Sequence, residues 1–170
     1  KLTLDGITPR EQLRLIDERV RKLLEIVYGT LVPRLSEDLS RVGIEIVRWP
    51  DLTDFDRAYL RAHYETHMDA VFAPVHVRRD GPFPHVRNLR PAFLVRVTDA
   101  DDTIDRFAIL ELPSDLPRLL PLPGGRRFVP LEDVVRANLP RLIGTAGPVE
   151  AHLFRVTRSG NLTLDAENVE

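Results

Sequence analysis

The sequence predicts an α+β fold, with a long N-terminal helix and two further helices packed on a mixed or antiparallel sheet. Two observations carry this prediction. Apolar residues recur every three or four positions through the first 42 residues, which is typical of one face of a helix. Residues 43–170 instead contain short β-branched or aromatic runs separated by prolines and glycines. Helices followed by a strand-rich part indicate the α+β class.

The long helix begins at a recognisable capping sequence. Thr8 suits the N-cap, Pro9 suits the first helical position, and Glu11 occupies the capping-box position. Gly43 suits the C-terminal cap. The apolar stripe between them comprises Leu13, Ile16, Val20, Leu23, Val27, Leu31, Leu35, Leu39 and Val42. We expect this stripe to pack on the domain's own sheet, and a coiled-coil partner is the alternative.

Gly29 and Pro33 lie within the stripe and do not change its phase. A proline inside a helix removes one hydrogen bond, and its ring clashes with the preceding turn. The sequence therefore predicts either one helix that is kinked near residues 29–33 or two helices in series.

The rest of the chain alternates between strands and two shorter helices. A helix opening at Thr53-Asp54-Phe55-Asp56 is expected to turn Phe55, Tyr59, Leu60 and Tyr64 inward. The acidic turn at 99–102 suits the tip of a hairpin. The predicted elements are a strand at 43–47, a helix at 54–68, an irregular connector at 72–91, strands at 92–98 and 106–112, a brief strand at 128–129, a helix at 131–139 and a closing strand at 149–157.

Length and composition indicate one soluble domain over residues 1–170, with a helical lead-in at 1–42 and an α+β core at 43–170. The chain has no cysteine, which excludes disulfides and thiolate metal sites and suits a cytoplasmic location. Its formal net charge is -2, so no nucleic-acid partner is expected. It has no apolar run of the roughly 18 residues that a transmembrane helix needs.

Two groups of residues are candidates for chemistry. Arginines cluster at positions 78, 79, 87, 90 and 96, with a second group at 118, 126 and 127, and together they suit a polyanion. The competing interpretation is a solvated surface enriched in arginine by codon bias. His63 and His67 have the spacing of metal ligands on a helix, but no third ligand accompanies them, and two polar residues on an exposed face are the simpler interpretation. No catalytic, cofactor-binding or metal-binding residue is assigned.

Three segments together resemble the bacterial class 1 polyphosphate kinases, in their head or middle domain. They are Gly81–Leu89, which contains Pro82-Phe83-Pro84, then Phe128–Leu139 with its Pro-Leu-Glu helix start, and Phe154–Arg158 with the sequence Phe-Arg-Val-Thr-Arg. Their order and spacing fit the family across essentially the whole chain. The sequence departs from the family pattern at residues 72–75 and at residues 159–162, and at 159–162 two acidic residues of the family pattern are missing.

The resemblance implies a parent enzyme that reversibly transfers the terminal phosphate of ATP to inorganic polyphosphate through a phosphohistidine. ATP, Mg²⁺ and the phosphohistidine would belong to an N-terminal ATP-contacting domain and C-terminal catalytic domains that lie outside this chain. The chain itself would serve dimer contacts and the walls of the active-site tunnel, as part of a homo-oligomer. The isolated fragment is predicted to be inactive. The parent would be cytoplasmic, with peripheral membrane association left open.

The clustered arginines and the proline-flanked phenylalanine suggest which residues matter. The expected polyanion-facing residues are Arg78, Arg79, Arg87, Arg90, Arg155 and Arg158. The expected interface residues are Pro82, Phe83 and Pro84, although Phe83 capping the domain's own core is an alternative. Two other functions remain open: a stand-alone binding or oligomerisation module without kinase activity, and an independent metal- or phosphate-binding enzyme that uses His63 and His67.

Overall fold

The computed structural model describes residues 6–78, 80–98 and 106–158. The chain forms two compact units. The first, called the helical unit here, ends at Ile46, and the second, called the sheet unit, begins at Val47. The predicted hairpin tip at 99–102 and the departure at 159–162 lie outside the described residues.

The helical unit is one continuous run of helical residues followed by a short strand. Helix α1 spans Pro9–Ile26, a π-helical segment spans Val27–Leu31, helix α2 spans Val32–Arg41, and strand β1 spans Glu45–Ile46. The predicted N-cap is confirmed, since the Glu11 amide donates to the Thr8 hydroxyl at 3.2 Å. The predicted C-cap is also confirmed: Gly43 has φ 76°, and its amide donates to the Ser40 carbonyl.

The π-helical segment explains how the chain continues through Pro33. In this wider turn the Val32 amide donates to the Val27 carbonyl, five residues earlier. Single π-turns inside α-helices change the hydrogen-bond register locally. Pro33 then falls in the first turn of α2, where a missing amide hydrogen is tolerated. Of the two alternatives, two separate helices are therefore excluded.

The apolar stripe is not buried. None of the residues in α1, the π-helical segment or α2 is buried. Leu13, for example, is 67% exposed and Leu35 is 60% exposed. The helical unit by itself therefore leaves this stripe exposed, because periodicity identifies an apolar face but not what covers it.

The sheet unit is built on a four-stranded antiparallel sheet in the order β2-β4-β3-β7. Its strands are β2 (Val75–Val77), β3 (Pro91–Val97), β4 (Arg106–Glu111) and β7 (Val149–Arg155). Strands β5 (Leu119–Pro121) and β6 (Arg127–Pro130) pair antiparallel as a separate hairpin. Helix α3 spans Asp54–His67 and helix α4 spans Leu131–Ile143.

The core of the sheet unit lies between one face of this sheet and the two helices. Phe93, Val95 and Leu110 on the sheet pack with residues of α3, α4 and the hairpin. The fully buried helix residues there include Leu60, Tyr64, Leu131, Val134, Val135 and Leu139. On the opposite face, a smaller cluster joins Val86, which precedes β3, to Ala92 and Ile109. The loop before β3 is therefore anchored directly to the sheet.

Several predicted boundaries and orientations need correction. The connector at 72–91 contains strand β2, a three-residue edge strand too short to show a pattern. Helix α4 continues past the predicted end to Ile143, with Pro140 inside it. On α3, Leu60 and Tyr64 do point inward, but Phe55 is 70% exposed and Tyr59 is also exposed. Asp56 takes the inward position one turn before Leu60, because the capping box turns its carboxylate toward the helix N-terminus.

Candidate polyanion site

The loop before β3 and the segment after β7 lie side by side at one end of the sheet. Pro91, the first residue of β3, pairs with Arg155, the last residue of β7. Beyond this pair, the Leu89 amide donates to the Val156 carbonyl at 2.8 Å. The Arg158 amide donates to Asn88 Oδ1, also at 2.8 Å. Antiparallel register thus brings two segments together that are distant in sequence.

This end of the sheet carries the arginine cluster, defined here as Arg87, Arg90, Arg155 and Arg158. The Arg158 guanidinium donates to the Val86 carbonyl, and Arg90 Nη2 donates to Ser114 Oγ at 3.1 Å. Neither acceptor carries a charge. Side-chain contacts therefore locate Arg87, Arg90 and Arg158 at this end of the sheet, and backbone pairing brings Arg155 to the same end.

Glu111 is the carboxylate paired with this cluster. The Arg87 amide donates to Glu111 Oε1 at 2.7 Å, and Arg87 Nε lies 3.5 Å from Glu111 Oε2. Among the described residues it is the only carboxylate within ion-pair distance of the four arginines. The side-chain pair is longer than the usual hydrogen-bond range, so it holds the guanidinium only weakly.

Two cavities lie on either side of Arg90. One has a volume of about 530 Å³ and is bounded by the loop before β3 and by β2 and β4, with His85, Arg87 and Glu111 in its wall. The other, of about 340 Å³, is bounded by Asn88–Pro91, Leu112–Ser114 and Arg118. Arg90 and Pro113 line both. The site is thus an extended, partly apolar depression with guanidinium groups along it.

Leu89, at the centre of the loop, has φ 61°. The left-handed region costs a non-glycine residue about 1–2 kcal/mol. The Leu89–Val156 and Arg158–Asn88 hydrogen bonds on each side hold the backbone in this conformation. The loop that presents Arg87 and Arg90 is therefore fixed by contacts with a different strand.

The other predicted arginines do not belong to this cluster. Arg78 follows β2 at the far end of the sheet, where Val77 pairs with Phe107. Arg79 lies outside the described residues. Arg96 forms an ion pair with Glu150 at 2.6 Å, and Arg118 and Arg127 pair with Glu132 and Asp56. Arg78 and Arg96 therefore lie apart from the arginines at the other end of the sheet.

Sequence reasoning missed the polar neighbours of the cluster, Asn88, Glu111 and Ser114. Each is an isolated polar residue at the end of a strand or loop, with no motif around it. The one available signal was Asn88 in the segment that resembles the polyphosphate kinases. Their common location follows from strand register, which the sequence does not specify at this end.

The three predicted interface residues form an exposed turn. Phe83 is 67% exposed and Pro82 is exposed, whereas Pro84 contributes to the larger cavity. The alternative in which Phe83 caps the domain's own core is therefore wrong. Prolines on both sides restrict the backbone around this aromatic ring.

His63 and His67 lie together on the surface of α3. Their ring centroids are 4.7 Å apart, and His67 Nδ1 lies 3.2 Å from the His63 carbonyl, to which it donates. Burial, together with the charge of His67 when protonated, lowers the pKa of His63. Within the described parts of the chain, no group of three or more His, Cys, Asp or Glu side chains is arranged to hold a metal ion.

None of the helices in the described ranges is long and apolar enough to cross a membrane.

A family model described as the polyphosphate kinase middle domain matches residues 56–170, which is more than half of the chain. The chain belongs to the polyphosphate kinase middle-domain family. The resemblance carried by the segments at 81–89, 128–139 and 154–158 is thereby confirmed.

Similar proteins extend this family assignment over the whole chain. A polyphosphate kinase of Synechocystis is 33% identical over 181 residues, covering 100% of this chain and 25% of its own length. A polyphosphate kinase of Mycolicibacterium gilvum is 32% identical over 172 residues, covering 98% of this chain and 24% of its own length. The chain therefore spans about a quarter of the length of these polyphosphate kinases.

A solved structure agrees with the fold. The crystal structure of polyphosphate kinase from Porphyromonas gingivalis matches with a TM-score of 0.81, over 92% of this chain and 25% of that one, at 24% sequence identity. At this identity the likeness concerns the fold of the middle domain.

Proposed function

We propose that this chain is the head segment of a polyphosphate kinase that reversibly transfers the terminal phosphate of ATP to inorganic polyphosphate through a phosphohistidine. The main support is the family match of a chain that spans only a quarter of its relatives. Phosphoryl transfer needs metal ions and cationic groups positioned around the phosphates. ATP and Mg²⁺ are assigned to the remaining domains of the polypeptide, as the resemblance to the family implies.

The head segment contributes assembly rather than chemistry. The apolar stripe of the helical unit leaves side chains such as Ile16, Leu31 and Leu35 about half exposed. Monomeric proteins rarely leave a large continuous apolar surface in water. The remaining domains of the same polypeptide cover this stripe, and burying each such side chain contributes about 1.5–3 kcal/mol. The sheet unit, for its part, is proposed to form part of the active-site tunnel wall.

The parent enzyme and the isolated chain test this function directly. The gene that encodes this chain is expressed with its flanking coding sequence, and separately as residues 1–170. We expect the parent to synthesise polyphosphate from ATP and Mg²⁺ and the isolated chain to synthesise none, measured by phosphate-chain electrophoresis. A stop codon directly after Glu170, or turnover by the 170 residues alone, contradicts the proposal and favours a stand-alone protein.

The Pro82-Phe83-Pro84 turn contributes a dimer contact in the parent. An exposed aromatic ring between two prolines loses little conformational entropy on association. We expect Phe83→Ser in the parent to raise the dimer dissociation constant at least about tenfold, measured by sedimentation velocity, since one buried aromatic anchor contributes 2 kcal/mol or more. Phe55→Ser is the matched control, because Phe55 on α3 is similarly exposed. Equal effects of both substitutions contradict an interface at this turn.

A further inference from the structure

We propose that the arginine cluster and the two cavities on either side of Arg90 form a binding site for a linear chain of phosphoryl groups. The identification of inorganic polyphosphate as its source rests on the proposed function. The site lies wholly in the sheet unit and lies outside the domains to which the phosphoryl transfer is assigned.

Charge is the first argument. Three guanidinium groups, those of Arg87, Arg90 and Arg158, lie around the loop at 86–91, and Glu111 is the only carboxylate paired with them in the described part of the chain. Arg90 meets a neutral hydroxyl, and no described carboxylate lies within ion-pair distance of it. Arg87 is 64% exposed in its side chain and lies 3.5 Å from its carboxylate partner. Both side chains can therefore turn a planar guanidinium toward an oxyanion, which it binds through two parallel hydrogen bonds.

The shape of the site favours a linear ligand over a single ion. Arg90 forms a wall shared by the cavities of about 530 and 340 Å³, and Arg87 lies in the first. Arg118, at the edge of the second, is already paired with Glu132 at 2.9 Å. A single phosphate occupies only one cavity and meets one or two of these groups. A chain of phosphoryl groups passes Arg90 and reaches both cavities, so its charge is matched by several guanidinium groups along its length.

Neutral donors complete the site. Asn88 Oδ1 accepts a hydrogen bond from the Arg158 amide, so the Asn88 side chain keeps its Nδ2 group as a donor. Among the described residues, Nδ2 has no hydrogen-bond partner. Ser114 Oγ accepts from Arg90, so its own hydroxyl hydrogen is available to an acceptor. Phosphoryl oxygens accept hydrogen bonds from both kinds of donor.

The site is held in place before any ligand arrives. The Arg87 amide is bound to Glu111, the Leu89 amide to Val156, and the Arg158 amide to Asn88. These contacts fix the left-handed conformation of Leu89, between the two arginines. A loop that is already ordered loses little backbone entropy on binding. Little of the favourable free energy of the charge interactions is therefore offset, and most of it contributes to affinity.

The proposal is tested with tripolyphosphate titrated into the 170-residue chain by isothermal calorimetry. We expect binding that weakens with added salt, and a dissociation constant at least about tenfold higher for Arg87→Gln/Arg90→Gln, since each variant removes a charge-assisted hydrogen bond. Arg61→Gln is the matched control, because Arg61 is an exposed arginine on α3. The control is expected to change the dissociation constant less than twofold. No binding, or equal binding by the double variant, overturns the proposal.

A second substitution predicts the opposite change. Glu111→Gln keeps an oxygen that accepts the Arg87 amide but removes the negative charge from the cluster. We expect it to tighten tripolyphosphate binding several-fold, a gain that loss of folding cannot produce. Weaker or unchanged binding by Glu111→Gln, in a variant with an unchanged circular dichroism spectrum, also overturns the proposal.

Two further ligands identify what the site recognises. Orthophosphate is expected to bind at least about tenfold more weakly than tripolyphosphate, because it meets fewer guanidinium groups. Equal affinity for the two overturns the linear-ligand proposal. ATP carries a triphosphate of the same length, and ATP binding equal to that of tripolyphosphate supports the site while assigning its phosphate chain to a nucleotide.

Failure of this site and failure of the proposed function give different results. A parent enzyme that makes polyphosphate, with a head segment that does not bind tripolyphosphate, contradicts the site alone. A chain that binds tripolyphosphate through Arg87 and Arg90, from a parent without kinase activity, contradicts the proposed function alone.

Discussion

At the scale of single residues, two buried carboxylates join distant parts of the sheet unit. Asp133 on α4 accepts from Arg48 Nε at 2.7 Å, from Arg48 Nη2 at 2.9 Å and from the Trp49 amide at 3.2 Å. Asp56 on α3 accepts from Thr53 and forms an ion pair with Arg127 at 3.0 Å. Asp133 thus joins α4 to the segment at Arg48–Trp49, and Asp56 satisfies the local Thr53 donors while holding Arg127.

Asp56 should make stability depend on pH. Burial acts to raise the pKa of Asp56, but the hydrogen bonds from Thr53 and Arg127 outweigh it and hold the pKa below the ordinary value of 3.8. A carboxyl with a depressed pKa in the folded state stabilises the fold above that ordinary value, and this contribution is lost as the pH falls below it. We therefore expect the melting temperature to fall between pH 6 and pH 3, and to fall less for Asp56→Asn.

Asp54→Asn provides the control for this measurement. Asp54 is the first residue of α3, is fully exposed and forms an ion pair with Arg57 at 3.3 Å. Exposed pairs of this kind contribute about 0–1 kcal/mol. Asp54→Asn should therefore leave the pH dependence of the melting temperature nearly the same as in the original chain. An equal reduction by Asp54→Asn and Asp56→Asn is the result that rules out a special role for Asp56.

At the scale of elements, the ends of the helices depend on a few residues with defined backbone conformations. Helix α4 ends at Gly144, which has φ 72° and ψ 41°, and the Thr145 amide then donates to the Pro140 carbonyl. This left-handed cap lets the chain reverse toward β7. The turn therefore contributes to placing Arg155 at the end of β7 beside Pro91.

Gly144→Ala should reduce the free energy of unfolding by about 1 kcal/mol, because an L-residue resists the left-handed region. An added Cβ meets nothing within 4 Å there, so the cost is purely conformational. The measurement is urea unfolding followed by tryptophan fluorescence.

Gly29→Ala is the comparison, since a Cβ added at Gly29 also meets no atom within 4 Å but Gly29 lies in a helical segment. There alanine should raise helical content, because it favours helix by about 1 kcal/mol over glycine. Destabilisation at both positions contradicts the conformational argument.

At the scale of the whole molecule, the apolar stripe and the arginine cluster belong to different units. The helical unit ends at Ile46, whereas every residue of the arginine cluster lies in the sheet unit. Each surface is therefore accessible to a separate test in the same 170-residue chain.

The stripe should bind a hydrophobic dye in the isolated chain. We expect the fluorescence of bound anilinonaphthalene sulfonate to fall by roughly half in the variant Leu13→Gln/Ile16→Gln/Val20→Gln, in line with the apolar area removed. The double substitution Glu18→Gln/Lys22→Gln changes the other side of α1 and should leave the fluorescence unchanged. Equal dye binding by all three proteins would show that the stripe is already covered in the isolated chain.

Much of the fold could be predicted because it depends on local signals. The caps at Thr8, Gly43 and Thr53 involve contacts within a few residues, and the longer strands show a clear apolar pattern. Strand β2 could not be predicted, since three residues at a sheet edge carry no usable periodicity. The exposure of Phe55 was also unpredictable, because the capping box rather than hydrophobicity sets the orientation of the first turn of α3.

By itself, the sequence determined the α+β class, the helix caps and the family, which depend on local patterns and on three ordered segments. Only the tertiary structure decided which arginines lie together. Strand register places Arg155 beside Pro91 and Arg158 beside Asn88, while Arg78 lies at the other end of the sheet and Arg96 is neutralised by Glu150. The physical reason is that a charged site depends on distances between side chains, and antiparallel pairing sets those distances between residues far apart in the chain.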